Sequence, residues 1–213
     1  MTYAGTTAVD TYGHGLSQKP DMILIKRRTL TGNWVVYHKS IGATKHLHLN
    51  TTDAEDTYQF MFNNTEPTNS LITLSDDGEV NKSGSNYVAY VFHSVKGFSK
   101  FDKFTGNGSS DGAFLYLGFK PAFIMIKKSS GTENWSIYDT KRNVNGTTNT
   151  LPLNADNADG ESGNTGKNLD ILSNGVKILT SNGELNASGT TYIFMAFAES
   201  PFVTSTGIPT TAK

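Results

Sequence analysis

The sequence predicts an all-β protein made of two tandem antiparallel β-sandwich, jelly-roll-like domains that are related by internal duplication. Three observations predict this fold: short apolar runs, turn-forming residues between them, and blocks of sequence that recur about 100 residues apart. The 21 glycines of the 213-residue chain, together with many Asn and Ser residues, supply the backbone angles that turns require. No stretch is rich in the Ala, Leu, Glu and Lys residues that long helices favour.

The internal repeat begins with a block that contains a proline followed by an apolar run. KPDMILIKRR (residues 19–28) aligns with KPAFIMIKK (residues 120–128) at a spacing of 101 residues. The same spacing relates Asn33-Trp34 to Asn134-Trp135. The order and spacing of these blocks indicate that the second half of the chain repeats the first.

Two later blocks follow in the same order at slightly larger spacings. LHLNTT (residues 47–52) matches LPLNAD (residues 151–156) at a spacing of 104, and DGEVNKSGSNYVAYVF (residues 77–92) matches NGELNASGTTYIFMAF (residues 182–197) at 105. The increase in spacing from 101 to 105 residues indicates small insertions in the loops of the second copy, because insertions in loops destabilise a fold least.

Each copy contains a series of predicted strands, bounded by Gly, Asn, Asp and Pro. In chain order they are MILIKRR, NWVVYH, KHLHL, LITLS and NYVAYVFHS in the first copy, and FIMIKK, NWSIYD, TLPL, LDILS, VKILTS and TTYIFMAFA in the second. Lys19-Pro20 and Lys120-Pro121 each precede a strand, where proline removes no needed hydrogen-bond donor. Asp77-Gly78 and Asn182-Gly183 predict tight hairpins between the strands on either side. The predicted domains are residues 1–103 and 104–203, followed by an extended C-terminal tail, residues 204–213.

Composition and charge exclude several classes of protein. A net charge of -1, from 18 basic and 19 acidic residues, provides no field for nucleic acid. The absence of cysteine excludes disulfides and thiolate chemistry. The N-terminus lacks the charged and apolar regions of a secretory signal, and the longest apolar runs are too short to span a bilayer. We therefore expect synthesis in a host cytoplasm without an export signal, no membrane insertion and no nucleic-acid partner; such a protein can still leave a lysing cell as part of a virus particle.

No motif of a known enzyme class occurs in the sequence, so we expect no catalytic residues, no cofactor and no enzymatic activity. The Gly-rich segment from Gly106 to Gly112 resembles a phosphate loop, but no predicted helix follows it, which indicates a turn. Asp76, Asp77 and Glu79 fall in the predicted hairpin turn, which explains them without catalysis.

Two clusters have the residue types of metal ligands. His46 and His48 alternate on a predicted strand and therefore leave the same face, and with His38 they form a candidate zinc site. The second copy has Asp139, Thr150 and Pro152 at the matching places, so the shared fold does not need these histidines, and we expect a surface histidine pair that binds metal only weakly. The acidic run from Asp156 to Glu161 resembles a calcium loop, but it lacks the first acid and the bidentate Glu of that pattern, which favours a solvated turn.

The aromatic residues of the repeated NWxxY block are the candidate contact residues. Trp34 and Tyr37 in the first copy correspond to Trp135 and Tyr138 in the second. Exposed tryptophans on a β-sandwich stack on sugar rings, which would create a lectin-like surface. The alternative is that both tryptophans pack in the cores of their domains, and recurrence within a repeated fold favours this alternative.

Several segments together resemble the repeated β-rich modules of marine bacteriophage virion proteins. They are HGLSQKPDMILIKRR (residues 14–28), NWVVYH (33–38), GATKHLHLNTTDAED (42–56), DDGEVNKSGSNYVAYVFHS (76–94) and the closing stretch, residues 190–213. The resemblance covers nearly the whole chain, although residues 140–160 depart from the pattern. Members of that group are tail-fibre, head-fibre or virion structural proteins, and no catalytic residues belong to it.

The resemblance implies a non-enzymatic structural protein on the surface of a phage particle. Because the first copy begins near Tyr3 and leaves no room for an anchoring segment, we expect a capsid decoration or head-fibre protein that attaches through a domain face or through residues 204–213. The alternatives are a tail-fibre or tail accessory module that binds host surface glycans through residues 140–166, and a polysaccharide depolymerase. The expected partners are the major capsid protein or tail and fibre proteins, with a homo-oligomer, by analogy a trimer.

Overall fold

The computed structural model describes residues 1–142, 151–161 and 166–200. Within these residues the chain is almost entirely β-structure, which confirms the predicted fold class. It divides into two compact units, Met1–His93 and Ser94–Lys213. The second unit begins at Ser94 rather than at Phe104, because the strand Ser99–Thr105 pairs with a strand of the second unit. The predicted tail, residues 204–213, lies outside the described residues.

The first unit contains a large antiparallel sheet and a small one. Its elements are β1 (Thr2–Ala4), β2 (Asp10–Gly13), β3 (Met22–Arg27), β4 (Trp34–His38), β5 (Lys45–His48), β6 (Asp56–Thr57), α1 (Gln59–Phe62), β7 (Leu71–Leu74) and β8 (Asn86–Phe92). The large sheet has the strand order β1-β8-β3-β4-β5-β6, and β2 pairs with β7.

The core of the first unit lies between these two sheets. Because alternate residues of a strand point to opposite faces, Ile23 and Ile25 of β3 enter the core together. They pack in one cluster with Tyr37 of β4 and with Ile72 and Leu74 of β7. Burial of each such side chain contributes about 1.5–3 kcal/mol, so the contact between sheets is the main stabilising feature of the unit.

The second unit has the same two-sheet construction. Its elements in the described residues are β9 (Ser99–Thr105), β10 (Phe114–Tyr116), β11 (Pro121–Lys128), β12 (Trp135–Asp139), β13 (Leu153–Asn154), β14 (Leu169–Leu172), β15 (Gly175–Ile178), α2 (Gly183–Asn186) and β16 (Thr191–Ala198). The large sheet has the order β13-β12-β11-β16-β9, and the small sheet has the order β10-β15-β14. Ile124 and Ile126 of β11 pack in one core cluster with Leu115, Val176 and Ile178 of the small sheet.

The two large sheets share one strand order. The order β1-β8-β3-β4-β5 in the first unit corresponds to β9-β16-β11-β12-β13 in the second. The proline-led blocks form the central strands β3 and β11, the NWxxY blocks form β4 and β12, and the blocks that end the repeat form β8 and β16. Each recurring block of sequence therefore occupies the same place in its sheet.

The hairpins predicted at Asp77-Gly78 and Asn182-Gly183 are wrong. β7 pairs with β2, whereas β8 pairs with β1 and β3, so the strands that flank Asp77-Gly78 lie in different sheets. In both units the polar residue instead starts a tight turn. The side chain of Asp77 accepts a hydrogen bond from the N–H of Glu79 at 2.7 Å, and that of Asn182 accepts one from the N–H of Glu184 at 2.9 Å. These turns carry the chain from the small sheet to the large one.

The ladders also correct the alignment of LHLNTT with LPLNAD. Leu47 pairs with Val36 on β4, and Leu153 pairs with Ile137 on β12, so Leu47 corresponds to Leu153 at a spacing of 106 rather than 104. The turns that follow agree, because Asn50 and Asp156 accept hydrogen bonds at 2.7 Å from the N–H groups of Trp34 and Trp135. The matching place for His48 is therefore Asn154, and not Pro152.

Candidate functional site

Three of the four predicted contact residues are buried. Tyr37 and Tyr138 have no exposed surface and lie in the cores of their units, and Trp135 is 1% exposed. Trp34 is partly exposed; its ring stacks on Tyr90 with the centroids 6.2 Å apart. The structure therefore places Tyr37, Trp135 and Tyr138 away from any ligand, and leaves Trp34 as the one of the four whose ring reaches solvent.

The histidines of β5 lie on one face of the strand, as predicted, but they do not form a site with His38. The rings of His46 and His48 are 4.9 Å apart. His48 pairs with Val35 on β4, so it shares a face with Val35, whereas His38 lies three residues further along and points to the opposite face. Within residues 1–142, 151–161 and 166–200, no three His, Asp or Glu side chains are close enough to hold a metal ion.

Glu79 links β5 to the turn that precedes β8. Its Oε1 accepts hydrogen bonds from the backbone N–H of Asn33 at 3.1 Å and from the side-chain amide at 2.9 Å. Its Oε2 lies 2.9 Å from Nε2 of His48. The hydrogen bond with His48 lowers the pKa of Glu79 below its ordinary value, although burial acts in the opposite direction. The Glu79 carboxylate is thus held in its charged form beside β5.

His46 is the most unusual polar residue of this region. Only 2% of the residue is exposed, yet its Nδ1 has no hydrogen-bond partner among the described residues. Burial lowers the pKa of His46, and the neighbouring His48 lowers it further, whereas Asp56, Glu79 and Asp77 oppose the shift. Each ring nitrogen of a neutral imidazole can donate or accept a hydrogen bond, and one that is buried without a partner destabilises the fold.

A small pocket opens beside these two histidines. We call it the acidic pocket; its volume is about 230 Å³, and it is lined by His46, Leu47, His48, Asp53, Ala54 and Asp56. Asp56 pairs directly with His46 across β5 and β6, so the two side chains leave the same face of the sheet. Asp53 and Asp56 are exposed, and neither forms an ion pair with a described residue. Neither residue was predicted from the sequence, although the segment TTDAEDTY (residues 51–58) follows the histidine strand closely.

A pair of aromatic rings, Tyr58 and Phe60, lies next to His46, although neither residue lines the acidic pocket. The ring of Tyr58 lies 6.1 Å from the ring of His46 and 5.3 Å from the ring of Phe60. Tyr58 is 36% exposed and Phe60 is 41% exposed. The hydroxyl of Tyr58 donates a hydrogen bond to Oδ2 of Asp77 at 3.3 Å, which fixes the ring at the rim. The site therefore combines exposed carboxylates, aromatic faces and a buried imidazole.

The second unit has a different arrangement at the corresponding place. Glu184 occupies the position of Glu79 and is 4% exposed. It accepts hydrogen bonds from Asn134 at 3.2 Å and from the hydroxyl of Ser136, and Nζ of Lys167 lies 2.5 Å away. Lys167, from the same unit, thus supplies the counter-charge of Glu184. Pro152 and Asn154 occupy the positions that correspond to His46 and His48 of β5. The acidic pocket is a feature of the first unit.

The second unit has an exposed aromatic strip on its small sheet. Phe114 and Tyr116 of β10 are 45% and 61% exposed, and Leu172 of β14 is 39% exposed. Gly175 on β15 pairs with both Tyr116 and Leu172, so no side chain separates them. Nζ of Lys100 lies 5.8 Å from the centre of the Tyr116 ring and donates a hydrogen bond at 2.7 Å to its carbonyl oxygen. The alternation in AFLYL signalled this strip, but the sequence analysis did not single it out.

The loops that resemble ligand-binding motifs are turns in the described residues. After Gly106–Gly112 the chain enters β10 and not a helix. In the run from Asp156 to Glu161, Oδ1 of Asp156 accepts the hydrogen bond from Trp135, and Oδ1 of Asn157 accepts one from the N–H of Asp159 at 3.0 Å.

A family model described as "Domain of unknown function (DUF7483)" matches residues 1–201. The chain belongs to this family. The match extends across both units, so the DUF7483 pattern comprises the pair of units rather than one of them. No curated protein and no solved structure matches the chain. Neither of the one-turn helices in the described residues approaches the length needed to cross a membrane.

Proposed function

We propose that this DUF7483 protein is a non-enzymatic structural protein on the surface of a bacteriophage particle. The observation that carries the proposal is the use of the recurring polar residues. Asn33 donates to Glu79 as Asn134 donates to Glu184, and these bonds join strand to turn inside each unit. The polar side chains that recur in both units therefore stabilise the fold of each unit, and the recurrence does not indicate a shared catalytic site. The sequence resemblance to virion β-modules supports the same conclusion.

We attribute the two units to duplication of one ancestral module. The shared strand order supports this origin, as do equivalent hydrogen bonds made by Asn81 and Asn186. The Asn81 amide donates to the carbonyl oxygen of Ala8 at 2.6 Å, and the Asn186 amide donates to that of Ser109 at 2.8 Å. Each asparagine ties the turn before the last strand to the loop after the first strand of its own unit.

Within the particle, the capsid surface is the location we favour. A chain with two small units offers modest contact patches, and repetition of many copies on a symmetric shell raises the overall avidity without any new contact. The partner is then the major capsid protein, and the chain works as a decoration or head-fibre protein, with a trimer as the expected oligomer.

Co-sedimentation tests this proposal. The purified full chain is mixed separately with heads and with tails from the phage whose genome encodes it, and the bound fraction is measured after ultracentrifugation. Saturable binding to heads, at a stoichiometry that matches capsid symmetry, is the expected result. Binding to tails alone would move the protein to the tail, and absence from purified particles by mass spectrometry would overturn the virion assignment.

The aromatic strip of the second unit favours one alternative, a module that binds host surface glycans. Pyranose rings present apolar C–H faces that stack on aromatic rings, and Phe114 and Tyr116 display two such rings on one face of β10. Leu172 extends the apolar surface across the glycine of β15. Trp34 remains a contact candidate in the first unit.

Host-cell binding separates this alternative from capsid decoration. If the strip binds glycans, Tyr116→Ala reduces retention of the chain on host cells, whereas Leu71→Ala, at a 40% exposed position on the small sheet of the first unit, leaves retention unchanged. Equal retention of both variants, or no retention of the unmodified chain, would remove the alternative.

A further inference from the structure

We propose that the acidic pocket of the first unit binds the guanidinium group of an arginine side chain from a partner protein. His46, Asp53 and Asp56 are among the residues that line the pocket, and the ring of Tyr58 lies 6.1 Å from that of His46. This inference concerns the chemistry of the site and is independent of the assembly in which the chain works, so either proposal can fail while the other stands.

The size of the pocket suits a single side chain. Sites for small molecules and cofactors enclose about 300–1,000 Å³. The acidic pocket has a volume of about 230 Å³. An inserted side chain from a folded partner fits this space, and the rest of the partner then contacts the exposed rim.

The charge around the pocket selects a cation. Asp53 and Asp56 are exposed lining residues that form no ion pair with a described residue, and Asp77 lies behind Tyr58. Lys45, the lysine of β5, is held by Glu55 with Nζ 2.5 Å from Oε1. Since the pairing of Lys45 with Glu55 leaves the lining carboxylates uncompensated, a positively charged group gains from entering.

The unpaired nitrogen of His46 supplies a directional contact. A buried polar atom without a partner destabilises a protein, so a ligand that provides the missing hydrogen bond binds more tightly. Nδ1 of His46 is such an atom, and a neutral imidazole presents it as an acceptor when the other ring nitrogen carries the proton. Guanidinium N–H groups would donate to the carboxylate of Asp56, which pairs with His46 across β5 and β6, and to the buried Nδ1 once the His46 ring turns toward the pocket.

The aromatic rim favours arginine over lysine. A planar guanidinium stacks on an aromatic face, whereas an ammonium acts as a compact and strongly hydrated point charge. Tyr58 is 36% exposed, and its hydroxyl donates a hydrogen bond to Asp77 at 3.3 Å, which holds its ring 6.1 Å from the ring of His46. Phe60, 41% exposed and 5.3 Å from Tyr58, widens this surface.

Protonation of His46 opposes the binding of a cation. The charged or titratable groups around its ring are His48 on β5, Asp56 on β6, Glu79 and Asp77 from the turn before β8, and Tyr58 before α1. A positive His46 loses its acceptor and repels the incoming guanidinium. Because burial lowers the pKa of His46 below the ordinary value of 6.5, binding is expected to persist near pH 6.5 and to weaken at lower pH, as the pH approaches that lowered pKa.

The test is a titration of the full-length chain, followed by NMR of the histidine ring and backbone signals. The probes are N-acetyl-arginine amide and its neutral isostere N-acetyl-citrulline amide, at low salt and about pH 7.5. We expect saturable shifts at His46 and Leu47 with the arginine probe, a millimolar Kd, and affinity at least about tenfold lower for citrulline. Asp56→Asn should lower the affinity for the arginine probe by about tenfold, and Asp53→Asn provides a second variant at an exposed position.

Asp102→Asn, which removes a partly exposed carboxylate of the second unit, is the matched control and should leave the titration unchanged. Equal affinity for the arginine and citrulline probes would overturn the proposal, as would shifts that Asp56→Asn and Asp53→Asn both leave intact. A separate titration with zinc chloride alone covers the metal alternative. If zinc binds at His46 with a micromolar Kd and excludes the arginine probe, the pocket is a metal-ion site and the proposal is overturned.

Discussion

Tyr87 and Tyr192 make the same pair of hydrogen bonds, one in each unit. Each phenolic oxygen donates to one backbone carbonyl oxygen of the preceding turn and accepts from one backbone N–H of it. The partners are Gly78 at 2.8 Å and Lys82 at 2.9 Å for Tyr87, and Gly183 at 2.6 Å and Ala187 at 2.7 Å for Tyr192. The last strand of each unit thereby fastens the turn that leads into it.

Replacement of either phenol should destabilise its unit. Tyr87→Phe and Tyr192→Phe each leave a backbone N–H and a carbonyl group unpaired in a region where the tyrosine itself has no exposed surface. We expect a loss of about 1–3 kcal/mol in the free energy of unfolding, measured by urea denaturation with circular dichroism. Tyr90→Phe, at a 50% exposed position of β8, is the control and should change the free energy little. Equal effects at positions 87 and 90 would contradict the structural role.

Glycine is required where the first strand of each unit meets the turn. A Cβ on Gly5 would lie 2.3 Å from the carbonyl oxygen of Lys82, and one on Gly106 would lie 2.3 Å from that of Ala187. Gly5→Ala and Gly106→Ala should therefore destabilise the protein by more than about 1 kcal/mol. In Gly32→Ala the added Cβ meets nothing within 4 Å, so that variant should unfold at the same urea concentration as the parent or a higher one.

The buried ion pair of the second unit should be sensitive to neutralisation. Glu184→Gln keeps the shape of the side chain but leaves Lys167, whose side chain is 13% exposed, without its counter-charge. Removal of one partner of a buried pair destabilises a protein by about 3–5 kcal/mol. Glu199→Gln breaks the exposed pair with Lys120, 2.6 Å apart, and should lower the free energy of unfolding by less than about 1 kcal/mol. A smaller effect at Glu184 than at Glu199 would argue against this assignment.

His46 should make the first unit less stable in mildly acidic solution. Its pKa is lower in the folded chain than in the unfolded one, mainly because of burial, so the unfolded chain binds more protons between the two values. The free energy of unfolding should fall as the pH drops below 6.5 and level off once the folded-state pKa is passed. His46→Gln lacks this titration. Urea denaturation at several pH values should give a flatter profile for the variant, and parallel profiles would exclude the histidine as the cause.

The strands were predictable because their patterns are local. Ile23 and Ile25 alternate with the partly buried Leu24 and Lys26 along β3, and the rings of His46 and His48 leave one face of β5 as alternation requires. The hairpin at Asp77-Gly78 was not predictable in the same way. A turn dipeptide reports only local backbone preference, whereas the pairing of β7 with β2 depends on residues far apart in the chain.

The candidate site depended even more on distant contacts. Glu79 meets His48 across a separation of 31 residues, which no spacing rule reveals. Trp34 and Trp135 stand in the same NWxxY setting, yet Trp135 is 1% exposed and Trp34 remains partly exposed. A shared NWxxY motif therefore does not determine burial, because burial depends on what the rest of the fold places over the strand.

The turn that Tyr87 and Tyr192 fasten has a consequence for tracing relatives of this protein. Residues 77–87 and 182–192 share the pattern [Asp/Asn]-Gly-Glu-x-Asn-x-Ser-Gly-x-x-Tyr. Most residues of this pattern are required by the structure. The eighth, for example, is Gly84 or Gly189, whose backbone is left-handed (φ 76° and 70°), a conformation that favours glycine. Such a fingerprint should persist after the surface has diverged, and counting its occurrences in a genome's proteins would distinguish single-module, tandem and longer arrays.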